Sequence, residues 1–350
     1  MPAAPAVRRR REARPQDRPR LLRVRVAVDP RLRAYLLTEE PSDDAFVESV
    51  FGLALRRDAD EEARERALAK LAEGTLSRAA LLEELVTSEE FGRIRLLDDV
   101  VAFARGARSR GERPRRLEGP PGSDERVIEI PWVLARLRSG RVLDVGYAYA
   151  EPSYLAGLLA ARVGQLVGVD LAEADVPVME TVVADVRELP YADGHFDQVL
   201  LVSTLEHIGA DNERYGLAGG PDEAGMGTAL RELRRVLRPD GSVLVTVPVG
   251  EPENYGWFRQ EDTRGWIRHF ARAGFFVEEA EIYELGAEGW RAAPTFRSSG
   301  VRYGERGPAA SAVLCAELSP QGLRRMATPD GVKRTVRRRL GPTYRRLRPS

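Results

Sequence analysis

The chain has 350 residues, and its 54 Lys and Arg residues balance 54 Asp and Glu residues to a formal net charge of zero. This balance gives no general reason to expect nucleic acid as a partner, and an apolar content of 43% is enough for two hydrophobic cores. No apolar run approaches the roughly 18 residues of a membrane span, and the Arg-rich N-terminus lacks a signal-peptide core. The single cysteine, Cys315, excludes an internal disulfide and lies in an apolar run that predicts burial. We therefore expect a cytoplasmic protein of two domains.

The N-terminal part of the chain is predicted to be helical after a disordered start. Residues 1–29 form a basic tail rich in Pro, Ala and Arg. Residues 30–105 show helical periodicity, with Phe46, Val50, Phe51 and either Leu53 or Leu55 near one stripe. Acidic residues occupy the first turn of the helical run at residues 60–71. Ser77 and Ser88 each directly precede a further helical run and are predicted to cap it. These features predict a separate all-α module.

A resemblance to a known module rests on a scattered set of positions in this region. They are Phe46, Val47, Leu53, residues 57–60, Leu68, Leu71, Gly74, Ser77, Arg78 and residues 88–91. The segment resembles a small helical module of unknown function that occurs beside bacterial glycosyltransferases and methyltransferases and is similar in pattern to phycobilisome linker domains. The resemblance implies docking to a protein or a surface. The alternative is a mini-bundle whose apolar residues serve only as its core.

The rest of the chain alternates between strands and helices. Residues 106–122 are rich in Gly, Pro and Arg and are predicted to be a linker. A helix over residues 123–138 leads to strands at 142–145, 165–169 and 182–185 and to a fourth that starts at 195. A turn at 239–241 precedes a fifth strand that ends at 248, a helix follows at 262–273, and strands follow at 275–285 and 311–318. This order predicts an α/β domain over residues 123–320 with a doubly wound, mostly parallel, seven-stranded sheet.

Acids and small residues stand where the first strands of this sheet end. Asp144 and Gly146 close the first strand, and Asp170 closes the second, where a carboxylate can accept hydrogen bonds from a ribose diol. Together with Asp185 and the later Leu-Arg-Pro-Asp-Gly block, these positions make residues 123–285 similar to the class I S-adenosylmethionine-dependent methyltransferases. The resemblance implies a Rossmann-like sheet with an antiparallel last strand, and S-adenosylmethionine as the cofactor. It implies cofactor contacts from these residues: Asp144, Gly146, Tyr147, Ala148, Asp170, Leu171, Asp185, Val186 and Ser203.

The turn after the first strand departs from the family pattern. Ala148 and Ala150 stand where the family commonly has glycine, and alanine fits only if the local φ is negative. A methyltransferase-like scaffold that no longer binds cofactor is therefore an alternative. A nicotinamide-dependent oxidoreductase is a second alternative, which the poor Gly-x-Ala-x-Ala dinucleotide fingerprint weakens. The stretch between Asp170 and Asp185 hardly has room for a helix, which predicts an open adenine pocket.

Glu206 and His207 follow the fourth strand, where the acceptor should meet the methyl group. A neutral His207 could act as a general base because the unperturbed pKa of histidine is ~6.5. The alternative is that this pair serves packing or helix capping. We expect no metal site, because His195 and His269 are the only other histidines and neither is well placed.

The acceptor and the partners are predicted more coarsely. Loops 211–227 and 250–260 should form the acceptor-site walls, with Tyr255, Trp257 and Arg259 suited to a sugar or an aromatic acceptor. The alternative is that these three residues only anchor their loop. The helical module suggests a small-molecule or glycan-linked acceptor, such as a sugar hydroxyl in polysaccharide biosynthesis. The basic C-terminal tail, residues 321–350, is either solvated or in contact with an anionic inner-membrane surface. It has no base-stacking aromatic pattern, which disfavours nucleic acid.

Overall fold

The computed structural model describes residues 37, 42–174, 176–177, 179–213, 221–293 and 300–320. The predicted tails at residues 1–29 and 321–350 lie outside these ranges. The described chain forms two compact units that divide after Gly92. Within these ranges no helix has the length and apolar character that crossing a membrane requires.

The first unit is all-α. It contains α1 (Asp43–Leu55), α2 (Glu61–Ala72), α3 (Arg78–Val86) and the start of α4 (Glu89–Ser109). Ser77 and Ser88 act as N-caps as predicted, because their Oγ atoms accept hydrogen bonds from the N–H groups three residues on, at 3.1 Å. The periodicity placed either Leu53 or Leu55 on the apolar stripe of α1. The structure buries Leu55, whereas Leu53 is 52% exposed. Phe46, Val50 and Phe51 are buried as expected.

The division between the units falls earlier than the predicted boundary at residue 105. Beyond Gly92, the apolar face of α4 packs into the core of the second unit through Leu97, Val101, Ala104 and Ala107. The predicted linker at residues 106–122 is likewise held by the second unit: Arg113 and Arg115 pair with Glu317 and Glu279 at 2.7 and 2.9 Å, and the N–H of Leu117 donates to Tyr283 at 3.3 Å. The composition suggested a linker, but the arginines serve as ion-pair partners of the sheet.

The second unit contains a Rossmann-like, doubly wound sheet, which confirms the predicted fold. Its helices are α5 (Arg126–Leu134), α6 (Pro152–Ala160), α7 (Gly225–Val236) and α8 (Thr263–Arg272). The strands of its main sheet are β1 (Arg141–Val145), β2 (Gln165–Asp170), β3 (Glu180–Val183), β4 (Phe196–Val202), β5 (Leu237–Pro248), β8 (Phe276–Gly286), β9 (Gly289–Ala293) and β10 (Ala312–Ser319); β6 (Glu253–Asn254) and β7 (Arg259–Gln260) form a separate pair. The strand order in the main sheet is β3-β2-β1-β4-β5-β10-β8-β9, with the first five strands parallel and β10 antiparallel to both neighbours.

The main sheet has eight strands rather than the predicted seven. The additional strand is β9, which forms an antiparallel hairpin with β8 at the sheet edge and buries Trp290 completely. Its five residues gave no separate periodicity signal. The predicted Pro-Asp-Gly turn lies inside β5 instead of before it, because residues 238–241 bulge between the pairs Phe196–Leu237 and Gln198–Ser242.

Each face of the sheet carries its own core. One face packs against α7 and α8, with Leu143, Val199 and Leu201 pointing toward it. The other face packs against α5, α6 and the second-unit part of α4, and Val142 and Leu200 point that way. This alternation within β1 and β4 follows the two-residue period of a strand. Cys315 is fully buried on the second face, as expected for a small apolar side chain.

Candidate active site

A cavity of about 430 Å³ opens at the carboxyl ends of the parallel strands β1, β2 and β4. This is the edge at which open α/β sheets hold their ligands. All of the sequence-predicted site residues line it except Tyr147 and Ala148. The residues that it brings together are Asp144, Gly146, Asp170, Leu171, Asp185, Val186, Ser203, Glu206 and His207.

The turn after β1 depends on Gly146. Its φ is +88°, in the region that favours glycine, and an added Cβ would lie 2.6 Å from Oγ1 of Thr204. Thr204 is held in that position because its hydroxyl donates to the carbonyl of Val145 at 3.1 Å. Neither Ala148 nor Ala150 has a positive φ, so alanine fits where the family commonly has glycine.

Asp144 presents a buried carboxylate to the cavity. It is 2% exposed, and the hydroxyl of Tyr154 donates to its Oδ1 at 2.8 Å. Its Oδ2 has no hydrogen-bond partner in the described part of the chain. Burial raises the pKa of Asp144 to about 7, although the Tyr154 hydrogen bond opposes the shift. Such an oxygen is suited to a cation or a hydrogen-bond donor of a ligand.

Asp170 organises the loop on the other side of the turn. Its Oδ2 accepts the N–H of Ala148 and its Oδ1 accepts the N–H of Ala172, both at 3.0 Å. Tyr147 turns away from the cavity: it is buried, its ring packs over Gly168, and its hydroxyl donates to a loop carbonyl at 3.1 Å. The ring that reaches the cavity is Tyr149, which is 58% exposed. Leu171, also exposed, lines the cavity beyond Asp170.

Asp185 already has a strong partner within the protein. Arg187 donates to both carboxylate oxygens of Asp185, and its hydrogen bond lowers the pKa of Asp185 below the ordinary value. The same guanidinium also donates to Asp222 at 2.8 Å. The predicted contact of Asp185 with an adenine amino group therefore stays a prediction. The short crossover is as expected, since no helix occurs among the described residues between β2 and β3, and Val186 forms a buried wall there.

Ser203 connects the end of β4 to a buried acid that the sequence reading missed. Its hydroxyl donates to Glu129 of α5, with Oγ 2.9 and 3.0 Å from the two carboxylate oxygens, and its φ is +46°. Burial raises the pKa of Glu129 to about 7, and Glu125 one turn earlier adds to the shift. Glu129 stands in an otherwise apolar stretch of α5, and this isolated charge was the signal that could have indicated a site.

Glu206 and His207 lie in a short 3₁₀ helix, Leu205–His207, after β4. Glu206 is 3% exposed, and its Oε2 has no hydrogen-bond partner among the residues described. Burial, followed by the nearby Glu129 and Glu125, raises the pKa of Glu206 well above its ordinary value. His207 Nδ1 lies 2.9 Å from the carbonyl oxygen of Trp257. A carbonyl can only accept, so Nδ1 carries the hydrogen and the lone pair of the neutral ring is on Nε2.

Aromatic rings form the wall next to His207. The ring centroids of His207 and Trp257 are 5.2 Å apart, those of Trp257 and Phe258 are 4.4 Å apart, and those of Phe258 and Tyr303 are 4.6 Å apart. We call Trp257, Phe258 and Tyr303 the aromatic wall; all three line the cavity. Trp257 belongs to the loop predicted as an acceptor-site wall, and that role stays a prediction, whereas Tyr303 comes from a distant part of the chain. Among the residues described, no cluster of His, Cys, Asp and Glu is arranged to hold a metal ion.

Comparison with known proteins agrees with this architecture. Residues 143–245 match the model of a methyltransferase domain, and residues 34–94 match a domain of unknown function, DUF4214. A ubiquinone/menaquinone biosynthesis C-methyltransferase of Pseudomonas putida is 27% identical over 175 residues, and its Pseudomonas entomophila counterpart is 26% identical. Each alignment covers 46% of this chain and 62% of the relative.

Two solved structures resemble the chain more distantly. One is a methyltransferase from Bacillus halodurans with 14% identity and a TM-score of 0.37, covering 55% of this chain and 97% of its own. The other is a 1,6-didemethyltoxoflavin N1-methyltransferase from Burkholderia thailandensis, with 17% identity and a TM-score of 0.38, covering 76% of this chain and 93% of its own.

The second unit is thus an α/β domain with a ligand cavity at the carboxyl ends of its parallel strands. More specifically, residues 143–245 match a methyltransferase domain, and this match supports a class I S-adenosylmethionine-dependent methyltransferase with S-adenosylmethionine as its cofactor. These findings favour the methyltransferase over the nicotinamide-dependent alternative.

Proposed function

We propose that this protein transfers a methyl group from S-adenosylmethionine to a small-molecule acceptor bound in the cavity. The observation that carries the proposal is that one cavity joins the Gly146 turn and Asp170 to Glu206 and His207. The first pair has the character of a cofactor site, and the second has groups that can orient an acceptor or take up its proton. The relatives are named as C-methyltransferases of quinone biosynthesis, which supports a small-molecule acceptor.

The residues on the β1 and β2 side fit the cofactor. The Gly146 turn leaves a space that a Cβ would fill, and Asp144 offers an unsatisfied buried oxygen there. In the proposed complex, Asp144 and Gly146 face the methionine part, Asp170 and Leu171 the ribose, and Asp185 and Val186 the adenine. The bound cofactor supplies a methyl group that is already activated by a sulfonium. The protein then has mainly to hold the two reactants in line.

On the acceptor side, His207 would serve as the general base through Nε2. Its Nδ1–H bond to the carbonyl of Trp257 sets the ring orientation and the tautomer. The aromatic wall provides an apolar surface for the body of an acceptor, while Ser203 and Glu206 present polar atoms near the end of β4.

The finer parts of the proposal rest on the sequence. A glycan-linked acceptor in polysaccharide biosynthesis is supported only by the helical module, which resembles a module that occurs beside bacterial glycosyltransferases. The first unit would dock a protein partner, and the basic tail at residues 321–350 would approach an anionic inner-membrane surface from a cytoplasmic location. Vesicle co-sedimentation with and without anionic lipid would test the role of the tail.

The cofactor site is tested by calorimetry with S-adenosylmethionine and S-adenosylhomocysteine on wild type and Asp170→Asn. We expect micromolar binding by wild type and a loss of tenfold or more in the variant. A charge-assisted hydrogen bond contributes ~1.5–3 kcal/mol, and every 1.4 kcal/mol is about tenfold in affinity.

Asp193→Asn is the matched control, because Asp193 is 82% exposed and lies outside the cavity lining. It should bind both ligands as wild type does. Absence of binding by a folded wild type would contradict the proposed function and favour a catalytically inactive scaffold or docking protein.

A further inference from the structure

The cavity is strongly acidic. Seven carboxylates and two guanidiniums line it, and each guanidinium is paired, Arg126 with Glu125 at 3.2 Å and Arg187 with Asp185 at 2.6 Å. The cofactor has two cationic groups and one carboxylate, so it offsets only part of this charge. A phosphorylated or carboxylated acceptor would meet repulsion here, whereas a cation would meet attraction. The seven carboxylates belong to Glu125, Glu129, Asp144, Glu151, Asp170, Asp185 and Glu206.

Two of these acids lie on the acceptor side, and neither forms an ion pair with an arginine or a lysine among the residues that the structure describes, although the charge of Arg126 acts on both. Glu129 is fully buried and receives the hydroxyl of Ser203. Glu206 is 97% buried, and no partner for its Oε2 occurs within the described ranges of the chain. Burial raises the pKa of both acids and so favours their neutral forms in the empty site, and a ligand that brings positive charge would favour the ionised forms and be held by them. A neutral hydroxyl would need no such pair.

The cofactor does not account for this pair. Asp144 already offers an unsatisfied oxygen at the Gly146 turn, where the methionine part is proposed to lie. Glu206 instead follows β4 and directly precedes His207, whose ring contacts the aromatic wall. Faces of Trp, Tyr and Phe attract cations as well as apolar groups.

We propose that the acceptor is a cationic amine: its ammonium group is bound by Glu206 and Glu129, and its apolar body lies against the aromatic wall. This inference rests on the proposed function and names its substrate class.

An ammonium group must lose one proton before its nitrogen can accept a methyl group. The N–H bond breaks, its electron pair stays on nitrogen, and the proton forms an O–H bond with the Glu206 carboxylate or an N–H bond with His207 Nε2. That electron pair would then form the N–C bond while the S–C bond of the methyl donor breaks and its electrons go to sulfur, which would leave as the neutral thioether S-adenosylhomocysteine. An amino sugar would satisfy both this inference and a glycan-linked acceptor.

Three probes with one ring and different charges test the inference: tyramine (cationic), tyrosol (neutral) and 4-hydroxyphenylacetate (anionic). Each is titrated by calorimetry into protein saturated with S-adenosylhomocysteine. We expect tyramine to bind wild type at least tenfold more tightly than tyrosol, and 4-hydroxyphenylacetate to bind least. Glu206→Gln should reduce the tyramine affinity to that of tyrosol and leave tyrosol unchanged.

Glu129→Gln is the second variant, so that the test stands if Glu206→Gln does not fold, and it should also reduce the preference for tyramine. Glu288→Gln, at an exposed position outside the cavity, should retain the full preference. Equal binding of tyramine and tyrosol by wild type, absence of tyramine binding, or a preference that survives in both cavity variants would overturn the inference. Binding of S-adenosylhomocysteine in these samples separates that result from a failure of the proposed function, in which the cofactor product itself would not bind.

Discussion

At the scale of single residues, Gly146 and its two alanine neighbours show which positions of the turn are constrained. Gly146 has a φ of +88° and faces Thr204, so both its backbone angle and the space around it require the absence of a side chain. Ala148 and Ala150 have ordinary backbone angles. Counting the glycines of this loop therefore underestimates its ability to form the turn, because only Gly146 needs to be glycine for conformational reasons.

We expect Gly146→Ala to weaken S-adenosylhomocysteine binding by tenfold or more and to lower stability by about 1–3 kcal/mol. The physical reasons are the strained φ and the contact of the new Cβ with the Thr204 hydroxyl. Calorimetry and denaturant unfolding measure the two effects.

Ala148→Gly is the matched control for this turn and should bind the ligand like wild type. Adding Thr204→Ser to Gly146→Ala removes the methyl group that would lie 2.7 Å from the new Cβ but keeps the hydroxyl and the strained φ, so only part of the loss should be recovered. Wild-type affinity and stability in Gly146→Ala would show that the turn tolerates a side chain.

At the scale of elements, the segment around α5 links the cavity to the far edge of the sheet. Glu129 of α5 faces the cavity, whereas Arg136, just after the helix, is fully buried and pairs with Glu279 of β8 at 3.0 Å. The Arg136 guanidinium also lies 4.1 Å from the ring centroid of Trp132. The carboxylate, two carbonyl acceptors and the aromatic ring compensate most of the burial of this arginine, whose Nε has no hydrogen-bond partner in the described part of the chain.

We expect Arg136→Met to lower the free energy of unfolding of the second unit by about 3–5 kcal/mol. Removing one member of a buried ion pair leaves the other without full compensation, here Glu279. The measurement is guanidinium-induced unfolding followed by tryptophan fluorescence, because all four tryptophans lie in the second unit.

Arg291→Met is the comparison variant, since the side chain of Arg291 is 48% exposed and its pair with Glu118 is peripheral. It should change the free energy of unfolding by no more than ~0.5 kcal/mol. Similar effects from both substitutions would mean that the buried pair does not stabilise the sheet edge.

At the scale of the whole molecule, the acidic cavity couples stability to pH. Asp144 and Glu129 have pKa values of about 7, above the ordinary values of ~4. Between pH ~4 and pH ~7, therefore, the folded protein binds more protons than the unfolded chain. The stability that the protonated acids contribute is therefore complete below pH ~4 and is lost as the pH rises through about 7. Asp185 and Glu279, whose pKa values are lowered, act in the opposite sense and only at more acidic pH.

We expect the melting temperature of the ligand-free protein to fall between pH 5 and pH 8 by on the order of 5–10 °C. A change of 1 kcal/mol moves the melting temperature of a domain of this size by ~2–4 °C. Scanning calorimetry at constant ionic strength measures this slope. The double substitution Asp144→Asn and Glu129→Gln should reduce this slope without abolishing it, because the pKa values of Glu206 and Glu125 are raised as well. Saturating S-adenosylmethionine should also reduce the slope, because its cationic groups stabilise the ionised acids. A melting temperature that rises over this range would contradict the assignment.

The sequence by itself determined the features that depend on neighbouring residues. The alternation of strands and helices predicted the doubly wound sheet, the serines predicted the helix caps, and the acids at the ends of β1 and β2 predicted one edge of the cavity. Each of these follows from local periodicity or from the rule that parallel strands end at a common edge. The sequence also indicated Glu206 and His207, because they directly follow a strand of that sheet.

Only the tertiary structure decided which side chains meet. Glu129 and Ser203 are 74 positions apart and come together because α5 packs across the ends of β4 and β5. Tyr303 joins Trp257 only after the sheet is assembled, and Tyr147 turns inward because Gly168 leaves room for its ring on the neighbouring strand. The unit boundary after Gly92 was decided in the same way, by the burial of one face of α4. Such contacts depend on strand register and on the shape of the packed core, which local sequence patterns do not contain.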